Sequence, residues 1–130
     1  PAAQVDIPEL MTQADGREAV PALLAARPQP TAVFGFNDLI AFGLTAALKR
    51  SGVEPGTGMA IGGYDDTDGA AGGSPSLTSV CNNPARIGRE AAGLILRQIG
   101  GETVGDERRL IEPSLAVRES TPPPRGGRSG

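Results

Sequence analysis

Two short apolar runs, each breaking off into side chains that accept hydrogen bonds, constrain this chain more than any other feature. One is Met59-Ala60-Ile61-Gly62-Gly63-Tyr64-Asp65-Asp66 and the other is Ala32-Val33-Phe34-Gly35-Phe36-Asn37-Asp38. Neither has room for a helix before its polar residues begin, so each reads as a buried strand of a parallel sheet. In open α/β sheets a ligand lies beyond the carboxyl ends of such strands. Asn37, Asp38, Asp65 and Asp66 are therefore expected along one rim.

The residues between the two runs support this reading. Ile40, Leu44, Ala47 and Leu48 recur at helical spacing, widened by Leu39, Phe42 and Gly43. Asp38 is the expected N-cap, Lys49-Arg50 sit where the C-terminal dipole favours cations, and Gly52 closes the helix. Strand, helix and strand then form a parallel crossover. Upstream, Asp15 with Glu18 predicts a capped helix carrying Ala19, Val20, Leu23 and Leu24, ended by Pro28. Pro21 removes a backbone donor and predicts a kink or a late start. Val5, Ile7 and Leu10 could add a short edge strand.

Downstream, small residues over 65–75 predict a flexible loop and 77–81 a third strand. Asn83-Pro84 opens a helix whose Ile87, Ala91, Leu94, Ile95 and Ile99 share a stripe, and Gly100-Gly101 stops it. Residues 110–111 and 114–117 read as extended pieces broken at Pro113. From Pro122 the Pro, Gly, Arg and Ser content predicts a disordered tail over 122–130. The pattern is α/β, a parallel sheet flanked by helices.

Composition removes several classes of function. At 130 residues there is room for one core, and with aromatics at 3% that core must be aliphatic and alanine-rich. A net charge of -3 and the absence of a cationic face argue against this segment gripping nucleic acid itself. With no histidine and only Cys81, the usual zinc, triad and disulfide chemistries lack their groups, and no cofactor is implied. Neither a membrane span nor a signal-peptide pattern is present, so a cytoplasmic compartment is expected. The start at Pro1 predicts a piece of a longer polypeptide.

Several stretches together resemble the effector-binding region of the LacI/GalR (lac repressor and gal repressor) family of bacterial transcriptional regulators. They are Pro30-Thr31-Ala32-Val33-Phe34 leading into Asn37-Asp38-Leu39-Ile40-Ala41-Phe42-Gly43, then Ile61-Gly62-Gly63-Tyr64-Asp65-Asp66 and Pro75-Ser76-Leu77-Thr78-Ser79-Val80. Ile87-Gly88, Ala91-Ala92 and Val117-Arg118-Glu119-Ser120-Thr121 complete the ordered set. The resemblance implies a periplasmic-binding-protein-like (type I) fold, two α/β subdomains around a cleft, with residues 1–121 supplying the C-terminal part of the effector domain. It further implies crossing to the other subdomain near 82–85, an operator-binding headpiece outside this chain, a small-molecule effector such as a sugar, and a homodimer.

The resemblance places Asn37 and Asp65 where relatives hold ligand hydroxyls, and Asn82 at a polar crossover position. Pro84 stands where some relatives place an aromatic wall. A carboxylate such as Asp65 can take two hydroxyl protons at once, which suits a vicinal diol, although a loop Asx turn is the plain alternative. Asn37 could equally be a strand-end turn residue, and Asn82 a residue leading into the next helix. Phe36 could stack on a sugar face or pack beneath the cleft. Asp66 is expected in a turn or cap, and Phe34 and Phe42 in the core. Arg86 and Arg89 are expected on a solvated face, and Cys81 as an inert packed thiol.

Two other functions compete with the sensor. A sugar-binding protein of a transport system would share the fold. A phosphoacceptor site around Asp65, Asp66 and Thr78 would need a lysine, and Lys49 lies at the far end of its helix. The stripe after Asn83 would normally face the other subdomain, and a second copy of the chain is its expected partner.

Overall fold

The computed structural model describes residues 12–123, so the expected lead-in strand at Val5, Ile7 and Leu10 and most of the expected tail lie outside the described residues. Helix α1 spans Gln13–Ala25, strand β1 Ala32–Phe34, helix α2 Asp38–Arg50 and strand β2 Ala60–Tyr64. A short helix α3 at Asp68–Gly72, strand β3 at Thr78–Cys81, helix α4 at Pro84–Ile99 and strand β4 at Ser114–Ala116 follow. The sheet runs β1-β2-β3-β4 in chain order. β1, β2 and β3 are parallel, while β4 returns antiparallel on β3 and pairs Leu115 with Val80.

The α1 helix begins earlier than Asp15 suggested. Thr12 is the N-cap, and its box is closed by the Asp15 carboxylate, which accepts from the Thr12 backbone amide at 2.7 Å. Asp15 meets the spacing rule three residues after Thr12, a partnership hidden because Asp15 and Glu18 satisfy the same rule. Pro21 sits exposed within the helix, which runs on through it to Ala25.

Its buried face, Ala19, Val20 and Leu23, meets Ala41, Leu44, Ala47 and Leu48 of α2, and this pair lies over Ile61, Met59 and Leu77. Fully burying an aliphatic side chain contributes roughly 1.5–3 kcal/mol, so this single aliphatic core accounts for most of the driving force. The two helices touch backbone to backbone. A Cβ on Gly16 would stand 2.2 Å from the Ile40 carbonyl oxygen, and one on Gly43 would stand 2.1 Å from that of Gln13.

The expected flexible loop after β2 contains α3, whose Ala70 is fully buried and whose carbonyl accepts the Leu77 amide at 2.7 Å. Residues 110–111 take no strand pairing. Phe42 packs partly against the core as expected, but Phe34 is 61% exposed. The reason is strand alternation: Val33 faces the helices, so Phe34 points to the opposite sheet face, where its ring lies over Gly62.

The segment after β4 locks the sheet. Ser120, 1% exposed, donates its hydroxyl to the Ile61 carbonyl at 2.6 Å and accepts the Thr78 amide at 2.8 Å. Its own carbonyl accepts the Ile61 amide at 2.9 Å. One serine thus ties β2 to β3 where their ladder has not yet begun.

Helix α4 stands apart from this core and buries none of its residues. It holds the returning segment by exposed ion pairs: Arg97 with Glu102 and Glu107, and Arg109 with Glu90 and Glu107. Ile87, Ile95, Leu96 and Ile99 remain exposed, as do Arg86 and Arg89. Among the described residues no helix is long and apolar enough to cross a membrane.

Candidate functional site

The carboxyl ends of β1, β2 and β3 carry the predicted residues. Phe36 and Asn37 follow β1, Asp65 and Asp66 follow β2, and Asn82 follows β3. Parallel pairing of these strands is what brings residues far apart in sequence to one rim.

Asn37 and Asp38 exchange the roles their sequence positions suggested. Asn37 is the N-cap of α2, its Oδ1 accepting the Ile40 amide at 2.9 Å. Asp38 is the first residue of the helix, is 0% exposed, and points back beneath the rim. Its Oδ1 accepts the Ser79 hydroxyl at 2.6 Å, and its Oδ2 accepts the Thr67 amide at 2.8 Å and the Thr67 hydroxyl at 2.9 Å. Three donors and the positive end of the α2 dipole offset the cost of burying that carboxylate. Both residues can cap a helix, and sequence alone did not show which would. The missed signal was Gly63, where a Cβ would approach Asp38 Oδ1 to 2.5 Å.

Asp65 and Asp66 both hold positive φ, 104° and 50°. For residues other than glycine such conformations cost of order 1–3 kcal/mol each, and they persist only where neighbours hold them. The Asp65 amide donates to the Val80 carbonyl at 2.9 Å and the Asp66 amide to the Ser79 hydroxyl at 3.0 Å. Asp66, expected in a turn or cap, is indeed in the turn, but its carboxylate serves an ion pair with Arg118 at 2.6 Å. Arg118 also donates to the Leu77 carbonyl at 2.7 Å, so neither charge faces the rim unpaired.

Asp65 itself is exposed at the rim. Its Oδ1 lies 3.5 Å from Asn82 Nδ2, a long contact that leaves the carboxylate able to accept further donors. The Asn82 Oδ1 is buried with no hydrogen-bond partner among the described residues. The open carboxylate suits a ligand that brings adjacent donors. Phe36 is 70% exposed, so it does not pack beneath the rim and its ring is open to contact. Pro84 starts α4 and is exposed, and Cys81 is half-buried.

The groups of a phosphoacceptor site do not converge here. Thr78 engages Thr121 and Arg118 at the opposite end of β3, and Lys49 Nζ donates to the Ser74 carbonyl. Among the described residues no group of three or more acidic, cysteine or histidine side chains could hold a metal ion.

Residues 2–121 match the model of the periplasmic binding protein-like domain. The chain belongs to that family. Within this periplasmic binding protein-like family it falls with the LacI/GalR effector-binding domains. It is 37% identical over 106 residues to the HTH-type transcriptional repressor CytR of Escherichia coli K12, covering 82% of this chain and 31% of that protein. A LacI family transcriptional regulator from Enterococcus faecium with bound ribose superposes with a TM-score of 0.83 at 28% identity, over 91% of this chain and 43% of that one. The lac repressor dimer bound to operator and the anti-inducer ONPF superposes with a TM-score of 0.75 at 27% identity, over 85% and 38%. The chain spans about a third of the length of the curated relatives it matches. The regulator relationship agrees with the ordered motifs, and the expected parallel sheet carries β4 as an antiparallel edge.

Proposed function

We propose that the rim formed by Asp65, Asn82, Asn37 and Phe36 is one wall of the effector cleft of a LacI-type transcriptional regulator. The effector is a small polyhydroxylated molecule, a sugar, and the protein is not an enzyme. The observation that supports this most is the Asp65 carboxylate, exposed at the rim with Asn82 Nδ2 a long 3.5 Å away. A carboxylate has two acceptor oxygens and calls for a ligand with adjacent donors. Asp65 accepts two hydroxyls, Asn82 stands beside it, and the Phe36 ring offers an apolar face to the ring carbons. Asn37 caps α2 at the same rim.

The repressor relatives favour a regulator over a transport protein. In that role the effector acts by binding one arrangement of the subdomains more tightly than the other, since equal affinity shifts nothing. Operator DNA is contacted through a separate headpiece, the protein works as a homodimer in the cytoplasm, and coupling of about 1–3 kcal/mol between effector and operator is expected. A thermal-shift screen of neutral and phosphorylated sugars against the full-length protein, repeated with Asp65→Ala, tests the reading. A stabilising sugar that loses its effect in the variant supports it. Sugars that stabilise both equally would move the anchor away from Asp65.

A further inference from the structure

We propose that Asp38 is the positioning residue of this rim, a buried carboxylate that sets the conformation of Asp65 without touching ligand itself. Asp65 and Asp66 are consecutive residues at φ 104° and 50°, and a free chain would leave both conformations. Besides the ion pair of Asp66 with Arg118 at 2.6 Å, three contacts prevent this. The first is the Asp65 amide on the Val80 carbonyl, a link to the neighbouring strand. The second is the Asp66 amide on the Ser79 hydroxyl at 3.0 Å, and that hydroxyl is in turn oriented by its 2.6 Å bond to Asp38 Oδ1. The third is the pair of bonds from Thr67 to Asp38 Oδ2 at 2.8 and 2.9 Å. Two of the three end on one side chain.

That side chain is well placed to act as a fixed point. Asp38 is 0% exposed, begins the rigid α2 helix directly after the Asn37 cap, and lies against Gly63 of β2. It therefore joins the β1–α2 turn, the loop after β2 and strand β3, the three places from which the rim residues come. Because Ser79 donates to Asp38, its oxygen lone pairs are turned towards the Asp66 amide. Asp38→Asn leaves one acceptor oxygen where the carboxylate has two, so the Ser79 hydroxyl and the Thr67 donors can no longer both be satisfied. The loop can then relax, and Asp65 Oδ1 leaves its place beside Asn82.

The proposal rests on the rim being a ligand site, so its test has one readout that needs no ligand. In the full-length protein, Asp38→Asn, Ser79→Ala and Ser79→Thr are compared with wild type by the intraresidue amide–Hα nuclear Overhauser effect of Asp66. This effect is strong at positive φ and weak otherwise. It is expected to fall in Asp38→Asn and Ser79→Ala, and to survive in Ser79→Thr, which keeps the hydroxyl. Circular dichroism and slow exchange of the Ile61 amide confirm that the core is intact, and if Asp38→Asn does not fold, Ser79→Ala carries the comparison.

The second readout is D-ribose affinity. Asp38→Asn is expected to weaken binding roughly ten- to a hundredfold, and Asp38→Asn with Asp65→Ala to bind no worse than Asp65→Ala alone. An unchanged Overhauser effect in both first variants, or losses that simply add in the double variant, would overturn the positioning role. If wild type binds neither D-ribose nor any other neutral sugar, the sugar reading fails, and the Overhauser comparison still decides the role of Asp38.

Discussion

The Arg118 guanidinium stands 2.6 Å from Asp66 Oδ1 although 52 residues separate the two in sequence. Both side chains are about four-fifths buried, and the same arginine bonds the Leu77 carbonyl while its backbone amide bonds Thr78 Oγ1 at 2.7 Å. The strap that follows β4 is thus fastened to the loop beside the candidate cleft. Replacing Arg118 by glutamine removes the cation and leaves Asp66 partly buried without its partner. A loss of about 1–3 kcal/mol is expected, read as a lower urea midpoint at unchanged slope. A midpoint within error of wild type would mean that the pair contributes nothing net.

The crossing of α1 and α2 gives a sharper expectation. Gly16→Ala and Gly43→Ala each place a methyl about 2 Å from a backbone carbonyl oxygen on the facing helix. A backbone contact cannot swing aside as a side chain can, so the helices must separate and the core between Val20, Leu44 and Leu48 loosens. Each substitution should cost at least about 1–3 kcal/mol. Gly93→Ala on α4, where nothing lies within 4 Å, is the control and should be neutral or stabilising by up to about 1 kcal/mol. Thermal melting of the three variants separates the two cases.

What the sequence made legible follows from how local each signal is. Helix stripes such as Ala19, Val20 and Leu23, and strand ends such as Tyr64 followed by Asp65, depend on neighbours in the chain and were readable. The family motifs added the order of elements and the rim. The partner of a polar residue was not readable when it lay far away. Asp38 meeting Ser79, Arg118 meeting Asp66 and Ser120 bridging Ile61 and Thr78 are contacts between residues 41 to 59 apart. The exposure of Phe34 was missed for a related reason: alternation says which face a residue takes, not whether that face is covered.

Asn37 has a capping role already visible in its 2.9 Å bond to Ile40, and a proposed role at the rim. The two can be separated by chemistry. Asn37→Asp keeps an acceptor for the Ile40 amide and so keeps the cap, whereas Asn37→Ala should lose about 1 kcal/mol. If the amide also donates to ligand, Asn37→Asp must weaken sugar binding while the cap is kept. Equal affinity for D-ribose in wild type and Asn37→Asp would confine this residue to the cap.

The ion-pair chain along α4 should respond to both acid and salt. Hydrogen bonds from Arg97 hold the Glu102 carboxyl below the ordinary glutamate range, and those from Arg109 and then Arg97 do the same for Glu107. Arg109 is raised in turn by Glu107 and Glu90. A carboxyl whose folded value is depressed stabilises the folded state above the unfolded value and loses that contribution as pH falls through the folded one. Residues 102–109 should therefore detach from α4 on acidification below the ordinary glutamate range, while the α1–α2 core, which contains none of these pairs, stays closed. The pairs are exposed, so 0.5 M salt should weaken them at neutral pH in the same direction. Amide hydrogen exchange across 100–111 reads both effects, with Ile61 and Leu48 as internal references. Exchange in that segment indifferent to salt and acid would show that charge does not hold it in place.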